Sequence, residues 1–424
     1  MAVRAGRGRA IGLTVPKKVV SETDGTVDSH YSVVPSIEGL SSRFIQERSE
    51  GLRARFRVRV GNACRDVVVD RDSCRVERAR GRPDTEIKTS PQTWRDMDEG
   101  RLSGIEAFAQ GKLSLRGSIQ KSLLFEPLFE RPDAGALRFD ITDIRIRKTR
   151  ISTLITGPKD APPLVLLHGL GASKASWLPV VPQLANHYRI LAVDLPGFGA
   201  SSKPRGRYDA RWFAEQMFGF LDSAGYESAM IAGNSMGGRI AQEMAMLHPD
   251  RIDAIACLCP ATAFSRRPGL WLARLLRPEL GSALAIMPRG QLKSTIRALF
   301  ARPGRIDDSW YEAALDDFLA TWKSPRARMA FFAAARHIYM EEPNGEKGFW
   351  SRLSLMGTPA FYVYGRHDSL ITHHFGNKVS RFVPSAQVEI WDDCGHVPQL
   401  EHPDRTANCL LDFFDDVQAS AEAL

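Results

Sequence analysis

With 424 residues, 43% of them hydrophobic and 25% charged, the chain has a globular make-up and is long enough for two or three buried cores. No apolar run approaches the roughly 20 residues of a membrane span. The basic N-terminus has no apolar stretch with a small-residue cleavage site, so a soluble, unexported protein is expected. The formal net charge of +8 is concentrated early, with 17 Lys and Arg against 10 Asp and Glu from Met1 to Arg82. Such a face could make peripheral contact with an anionic membrane. No zinc finger or aromatic RNA-binding motif accompanies it, and nucleic acid is not an expected partner.

Residues 1–33 contain Arg, Gly and Ser without a sustained apolar period and are expected to form a flexible basic tail. From Val34, Ile37, Leu40, Phe44 and Ile45 recur at helical spacing. Arg53 to Val60 alternates strictly, which predicts a strand with Phe56, Val58 and Val60 inward and the guanidinium groups in water. Val67-Val68-Val69 and Cys74-Arg75-Val76 are further strand candidates around a turn at Asp70 to Ser73. Asp84 to Thr89 reads as a strand, and Ser90-Pro91 as the start of a helix carrying Trp94 and Met97. A break at Gly100, a second helix from Ile105 and a short strand within Gly111 to Gly117 follow.

This order, ending in G-K-L-x-L-x-G, resembles the sterol carrier protein 2-like lipid-binding domain over about residues 34–131. The resemblance implies a small α+β domain with an apolar tunnel for an acyl chain, acyl-CoA or sterol, and no catalytic residue. An accessory domain that binds no lipid and only docks on its neighbour is the other reading.

Arg131 to Gly135 is a plausible junction. Beyond it strands and helices alternate, as in an α/β sheet. Ile141 to Ile146 and Ile151 to Ile155 suit an antiparallel edge hairpin. Leu164 to Leu167, Ile190 to Val193, Ala229 to Ala232, Ile255 to Cys257, Ala360 to Tyr364 and Val388 to Trp391 suit buried parallel strands. Residues 262–353 interrupt this pattern and look helical, with Leu270, Leu272, Leu275 and Leu276 opening the stretch and Trp310, Leu315, Phe318, Leu319 and Trp322 continuing it.

Gly233-Asn234-Ser235-Met236-Gly237 follows an apolar strand and precedes a helix-like run. That context is the one in which a sharp turn exposes a serine hydroxyl, with Gly233 and Gly237 giving the room. A serine needs a base to take its proton. Asp368, after the strand ending at Tyr364, and His396, after the strand ending near Trp391, stand in the required chain order. His396 is the candidate general base, and Asp368 the residue that orients it. An oxyanion would need two backbone donors. Met236 N–H is one candidate, and Leu170 N–H, in the loop His168-Gly169-Leu170-Gly171, the other. Asp194 to Gly199 reads as a structural tight loop, and His367, His373 and His374 as a surface loop rather than a metal cluster. Six cysteines without a CxxC pair suggest mostly buried thiols in a reducing, cytoplasmic compartment, and no cofactor or metal is expected.

Together, H-G-x-G, D-x-P-G-x-G, G-x-S-x-G, G-x-x-D and G-H resemble the α/β-hydrolase superfamily over residues 137–424. The resemblance implies a mostly parallel sheet with a helical lid at about 262–353, behind the smaller N-terminal α+β domain. The favoured activity is cleavage of a small hydrophobic ester or thioester, with a lipid ligand in the N-terminal domain. Carbon–carbon bond hydrolysis of the meta-cleavage type is the first alternative, since Gly233 to Gly238 is similar to that family's elbow, although Val397 stands where an aromatic residue is usual. Cofactor-free haloperoxidase or perhydrolase chemistry, and a lipid carrier with an inactive hydrolase scaffold, are the others.

Overall fold

The computed structural model describes residues 32–262 and 288–422. Residues 1–31 of the expected tail, and Leu270 to Leu276 of the expected lid, lie outside them.

The first part is a five-stranded sheet, β1 (Arg53–Val60), β2 (Ala63–Asp70), β3 (Ser73–Arg78), β4 (Thr85–Thr89) and β5 (Leu113–Gly117), in the order β3-β2-β1-β4-β5. β1 and β4 run parallel, and the other neighbours antiparallel. Helices α1 (Val33–Glu38), α2 (Pro91–Asp98), α3 (Gly104–Ala109) and α4 (Ile119–Phe125) accompany it. The punctuation works as the sequence suggests. Ser90 Oγ accepts from Thr93 N–H with Pro91 behind it, and Ser103 and Glu106 form a reciprocal capping box.

Two expectations need correction. The helical spacing from Ile37 to Ile45 yields only α1 and a 3₁₀ turn, Gly39–Arg43. Phe44 then leaves the helix to form an antiparallel bridge with Phe129, its ring packed against that residue's. The arginines of β1 do alternate with buried Phe56, Val58 and Val60, but they are not simply solvated. Arg55 and Arg57 converge on the fully buried Asp66 at 2.9 and 2.8 Å, and Arg55 also reaches Glu77 at 2.6 Å. Burial alone would push the Asp66 carboxyl up, yet the hydrogen bonds from Arg57, the Arg80 N–H and Arg55 hold it below its usual range. Part of the early positive charge is thereby neutralised within the fold.

The second sheet has eight strands, β6 (Phe139–Ile146), β7 (Thr149–Thr156), β8 (Pro163–Leu167), β9 (Arg189–Val193), β10 (Ala229–Asn234), β11 (Ile252–Leu258), β12 (Ala360–Gly365) and β13 (Gln387–Trp391). Their order is β13-β12-β11-β10-β8-β9-β7-β6, antiparallel at β6/β7 and β7/β9 and parallel elsewhere. The parallel strands are apolar because helices cover them: Leu164 to Leu167 are all buried. α5 (Val181–Leu184), α6 (Ala210–Ala224) and α7 (Met236–Leu247) lie between these strands in sequence.

Between β11 and β12 run α8 (Arg289–Arg297), α9 (Asp308–Trp322), α10 (Pro325–Met340) and α11 (Phe349–Leu353), the helical insertion expected there. α12 (His374–Phe382), α13 (Pro398–Glu401) and α14 (Pro403–Glu422) complete the chain. Helix α9 packs along β5, the edge strand of the first sheet, and so covers an edge that would otherwise offer unpaired backbone groups. Residues from Val33 onward cluster as one unit, with both sheets inside it.

Candidate active site

Strand β10 ends at Asn234 and α7 begins at Met236, so the chain reverses across Ser235. Ser235 has φ 55° and ψ −114°, a conformation that costs a residue with a side chain about 1–3 kcal/mol and persists only where its surroundings impose it. They do so here. Ser235 N–H donates to Leu258 O at 2.9 Å, and Ser235 O accepts from Ala261 and Arg239 N–H. A β-carbon at Gly233 would lie 2.3 Å from the Gly237 carbonyl carbon, and one at Gly237 would lie 2.2 Å from Leu167 O. Both positions therefore exclude any larger residue.

Asp368 and His396 leave the sheet at the ends of β12 and β13 and meet, His396 Nδ1–H donating to Asp368 Oδ2 at 2.7 Å. Asp368 Oδ1 accepts from Leu370 and Ile371 N–H at 2.7 and 2.8 Å, which anchors the carboxylate to the chain that follows it. Nε2 of His396 makes no hydrogen bond among the described residues, and His396 lines the cavity that Ser235 also lines. Among the described residues no hydrogen bond joins the Ser235 hydroxyl to that nitrogen, although both residues line the same cavity. In unliganded sites such contacts are often long.

The His396 loop is held from three sides. Asn234 Nδ2 donates to His396 O at 3.0 Å and to Leu258 O at 3.1 Å. His396 N–H donates to Leu299 O, just past α8. Glu401 accepts from Gly395 N–H at 2.7 Å and from Ala301 N–H at 2.8 Å, joining the same two segments. Cys259, Asp368 and His396 offer ligand atoms within 4.8 Å of one another. Burial together with the Asp368 charge pushes the Cys259 thiol well up, so it stands as a thiol beside that carboxylate. The group reads as part of the support of Asp368. His367, His373 and His374 take no part in it.

The loop from His168 to Lys174 passes directly over Ser235: a β-carbon at Gly169 would lie 3.3 Å from Ser235 Cβ. Among the described residues the amides of Leu170 and Met236 donate to no backbone acceptor. His168 is a buried pin, its Nδ1–H donating to Gly169 O and its Nε2 accepting from Leu195 N–H; burial lowers its pKa and keeps it neutral. Asp194 is structural, as its loop suggests. It accepts from Lys174 N–H and Lys174 Nζ, both at 2.7 Å, and from Ala200 N–H. Burial would raise the Asp194 carboxyl, but the Lys174 charge holds it low. The Lys174 ammonium is buried with three acceptors, Asp194 Oδ2, Ser152 Oγ at 3.1 Å and Gln120 Oε1 at 2.6 Å. Gln120 belongs to α4 of the first part.

These groups open on a cavity of about 530 Å³. Leu170, Phe198, Trp310, Phe318, Trp322 and Phe331 are among the residues of its apolar wall. Trp310, Ala314, Phe318 and Trp322 recur every fourth residue, so one face of α9 looks into it. A β-carbon at Gly171 would meet the rings of Phe331 and Phe318 at 2.9 and 3.2 Å, which seats these aromatics on the His168 loop. Leu315, on another side of the helix, is fully buried.

Of the residues that the sequence nominates, Gly169, Leu170, Gly171, Ser235 and His396 line this cavity and Asp368 is bonded to His396, whereas His168, Gly233 and Gly237 do not line it and Met236 lines a separate pocket beside Arg239. Sequence reasoning missed Asn234, Cys259, Glu401, Lys174 and Asp317. Asn234 lies inside a motif read for its glycines and serine, and Lys174 lies three residues beyond the His168 to Gly171 loop. Nothing in the sequence marks Cys259, Glu401 or Asp317. All six cysteines are free, Cys257, Cys259 and Cys394 buried and the other three half-buried, fewer than the mostly buried set expected. No helix among the described residues is long and apolar enough to cross a membrane.

Comparison with known proteins agrees with this architecture. Residues 40–130 match the SCP-2 sterol transfer family. The chain is 30% identical over 260 residues to a pimeloyl-[acyl-carrier protein] methyl ester esterase of Aeromonas hydrophila subsp. hydrophila, covering 59% of this chain and 95% of that one. It is 27% identical over 269 residues to the 2-hydroxymuconate semialdehyde hydrolase of a Pseudomonas species, 61% of this chain and 89% of the relative. Among solved structures, a bacterial membrane phospholipase A superposes with a TM-score of 0.56 at 26% identity, over 66% of this chain and 87% of the other. Residues 162–403 match the alpha/beta hydrolase fold, and the chain belongs to that family of hydrolases.

Proposed function

We propose that this hydrolase cleaves carboxylic ester or thioester bonds of lipid-like acyl substrates through Ser235, His396 and Asp368 and an acyl-enzyme. Nε2 of His396 takes the Ser235 proton as the hydroxyl attacks the carbonyl, and later returns a proton to the leaving alcohol or thiol. Asp368 holds the tautomer that leaves Nε2 unprotonated and stabilises the imidazolium formed in the step. The amides of Leu170 and Met236 receive the oxyanion, and water then repeats the sequence to release the acid. The observation that carries the reading is the His396–Asp368 hydrogen bond beside a strained Ser235 on one apolar cavity.

Carbon–carbon hydrolysis uses the same three groups, and relatives such as the 2-hydroxymuconate semialdehyde hydrolase keep it in view. The wall favours a neutral acyl ester. No Lys or Arg lines the cavity among the described residues to hold the carboxylate of a dienoate. Free thiols fit work in a reducing, cytoplasmic setting. The SCP-2-like part would gather the hydrophobic substrate.

The test is Ser235→Ala assayed on 4-nitrophenyl acyl esters. Loss of the nucleophile should lower kcat at least about 10³-fold with the circular dichroism spectrum kept. An unchanged rate removes the mechanism. Turnover of a 2-hydroxy-6-oxo-hexa-2,4-dienoate with no ester cleavage would hand the assignment to the alternative.

A further inference from the structure

Among the described residues the cavity contains one side chain that the hydrolase part does not supply. Ile119, the first residue of α4 in the SCP-2-like part, lies among its lining residues, and is 5% exposed. The residues on either side of it are fastened to the hydrolase. Ser118 Oγ and Gln120 N–H both donate to Asp317 Oδ1 of the lid helix α9 at 3.3 Å. Gln120 Oε1 accepts from Lys174 Nζ at 2.6 Å, and Lys174 is the residue that ends the loop over Ser235. Asp317 is buried and borders the same cavity; burial pushes its carboxyl up to about 6. With 118 and 120 both pinned, Ile119 cannot withdraw while α9 and the Lys174 loop keep their places.

From this placement we infer that Ile119 is a fixed wall of the acyl pocket and sets which acyl chains reach Ser235. The SCP-2-like part then works as a built-in specificity element rather than as a carrier that loads elsewhere and swings back. The inference rests on the ester-hydrolase reading above for its substrate, though not for the wall itself. A larger side chain at 119 shortens the pocket, and a smaller one lengthens it. Overfilling an apolar pocket excludes ligand atoms directly, whereas enlarging it admits them.

The experiment compares the full chain with Ile119→Trp and Ile119→Ala on 4-nitrophenyl esters from acetate to hexadecanoate. It also measures binding of a fluorescent hexadecanoic acid to the same proteins carrying Ser235→Ala. For Ile119→Trp the ratio of kcat/KM for hexadecanoate to that for acetate should fall at least about tenfold, with a matching loss of fatty-acid affinity. For Ile119→Ala the preferred chain should lengthen. If Ile119→Trp folds poorly, Ile119→Ala decides. If no ester is cleaved by the parent but fatty-acid affinity still follows the size of residue 119, the wall stands and the ester reading falls. Esters cleaved with a chain-length profile and affinity the same in all three proteins would overturn the inference.

Discussion

Ser235 and Glu126 show two ways in which a single residue is held against its own preference. Ser235 keeps a positive φ because Leu258, Ala261 and Arg239 grip its backbone and two glycines leave no room to relax. The G-x-S-x-G pattern between strand and helix made that strain legible, since its glycines are explained by close approach. Glu126 carried no such sign. It lies buried at the end of α4, accepts from Gly104 N–H and pairs with Arg131, and burial raises its carboxyl to about 7 despite the Arg131 charge. A folded-state pKa above the unfolded value means the proton is held more tightly in the native protein. The associated stability is complete below the unfolded pKa, near 4.5, and is lost as pH rises through about 7. Thermal unfolding of the parent and of Glu126→Gln should therefore show the parent losing ground between about pH 5 and pH 8, on the order of 3 kcal/mol. Parallel curves would mean that Glu126 is ionised in both states.

Among the elements, strands were the most legible and the helical insertion the least. Short apolar runs bounded by turns marked the six strands from β8 to β13 to within a few residues, because a strand covered on both faces has little that is polar to interrupt it, while β6 and β7 were legible as an edge hairpin. Helix α9 could be read as helix from its aromatic spacing, but not as the partner of two things at once. One face looks into the cavity and another part lies along β5, a contact with no periodic signature. The Glu401 bridge between α13 and the segment after α8 was equally silent, since its two acceptor oxygens meet backbone amides that any residue provides. Removing them in Glu401→Ala leaves two amides without partners and frees the Gly395-His396 turn. The expected result is a loss of about 1–3 kcal/mol in stability and a lower kcat with KM little changed, followed by stopped-flow and calorimetry. A change in KM alone would place Glu401 in substrate binding instead.

At the scale of the whole molecule, two motif sets at opposite ends of the chain announced two parts, but gave no hint that they share a buried lysine. The Lys174 ammonium has three protons and three acceptors, one of them Gln120 Oε1 from the other part. Leaving a buried charged donor short of a partner costs about 1–3 kcal/mol or more, larger than the marginal worth of an exposed contact. Calorimetry of the full chain should accordingly show both sheets melting in a single cooperative transition. Two separated transitions would mean the parts are only neighbours.

That third oxygen also limits how the gene can be recombined. A front half borrowed from another member of the SCP-2 sterol transfer family would have to bring an acceptor to the place of Gln120, or arrive with a partner in which Lys174 had become uncharged. A change at either position would leave the buried ammonium, or the amide oxygen that meets it, short of a partner.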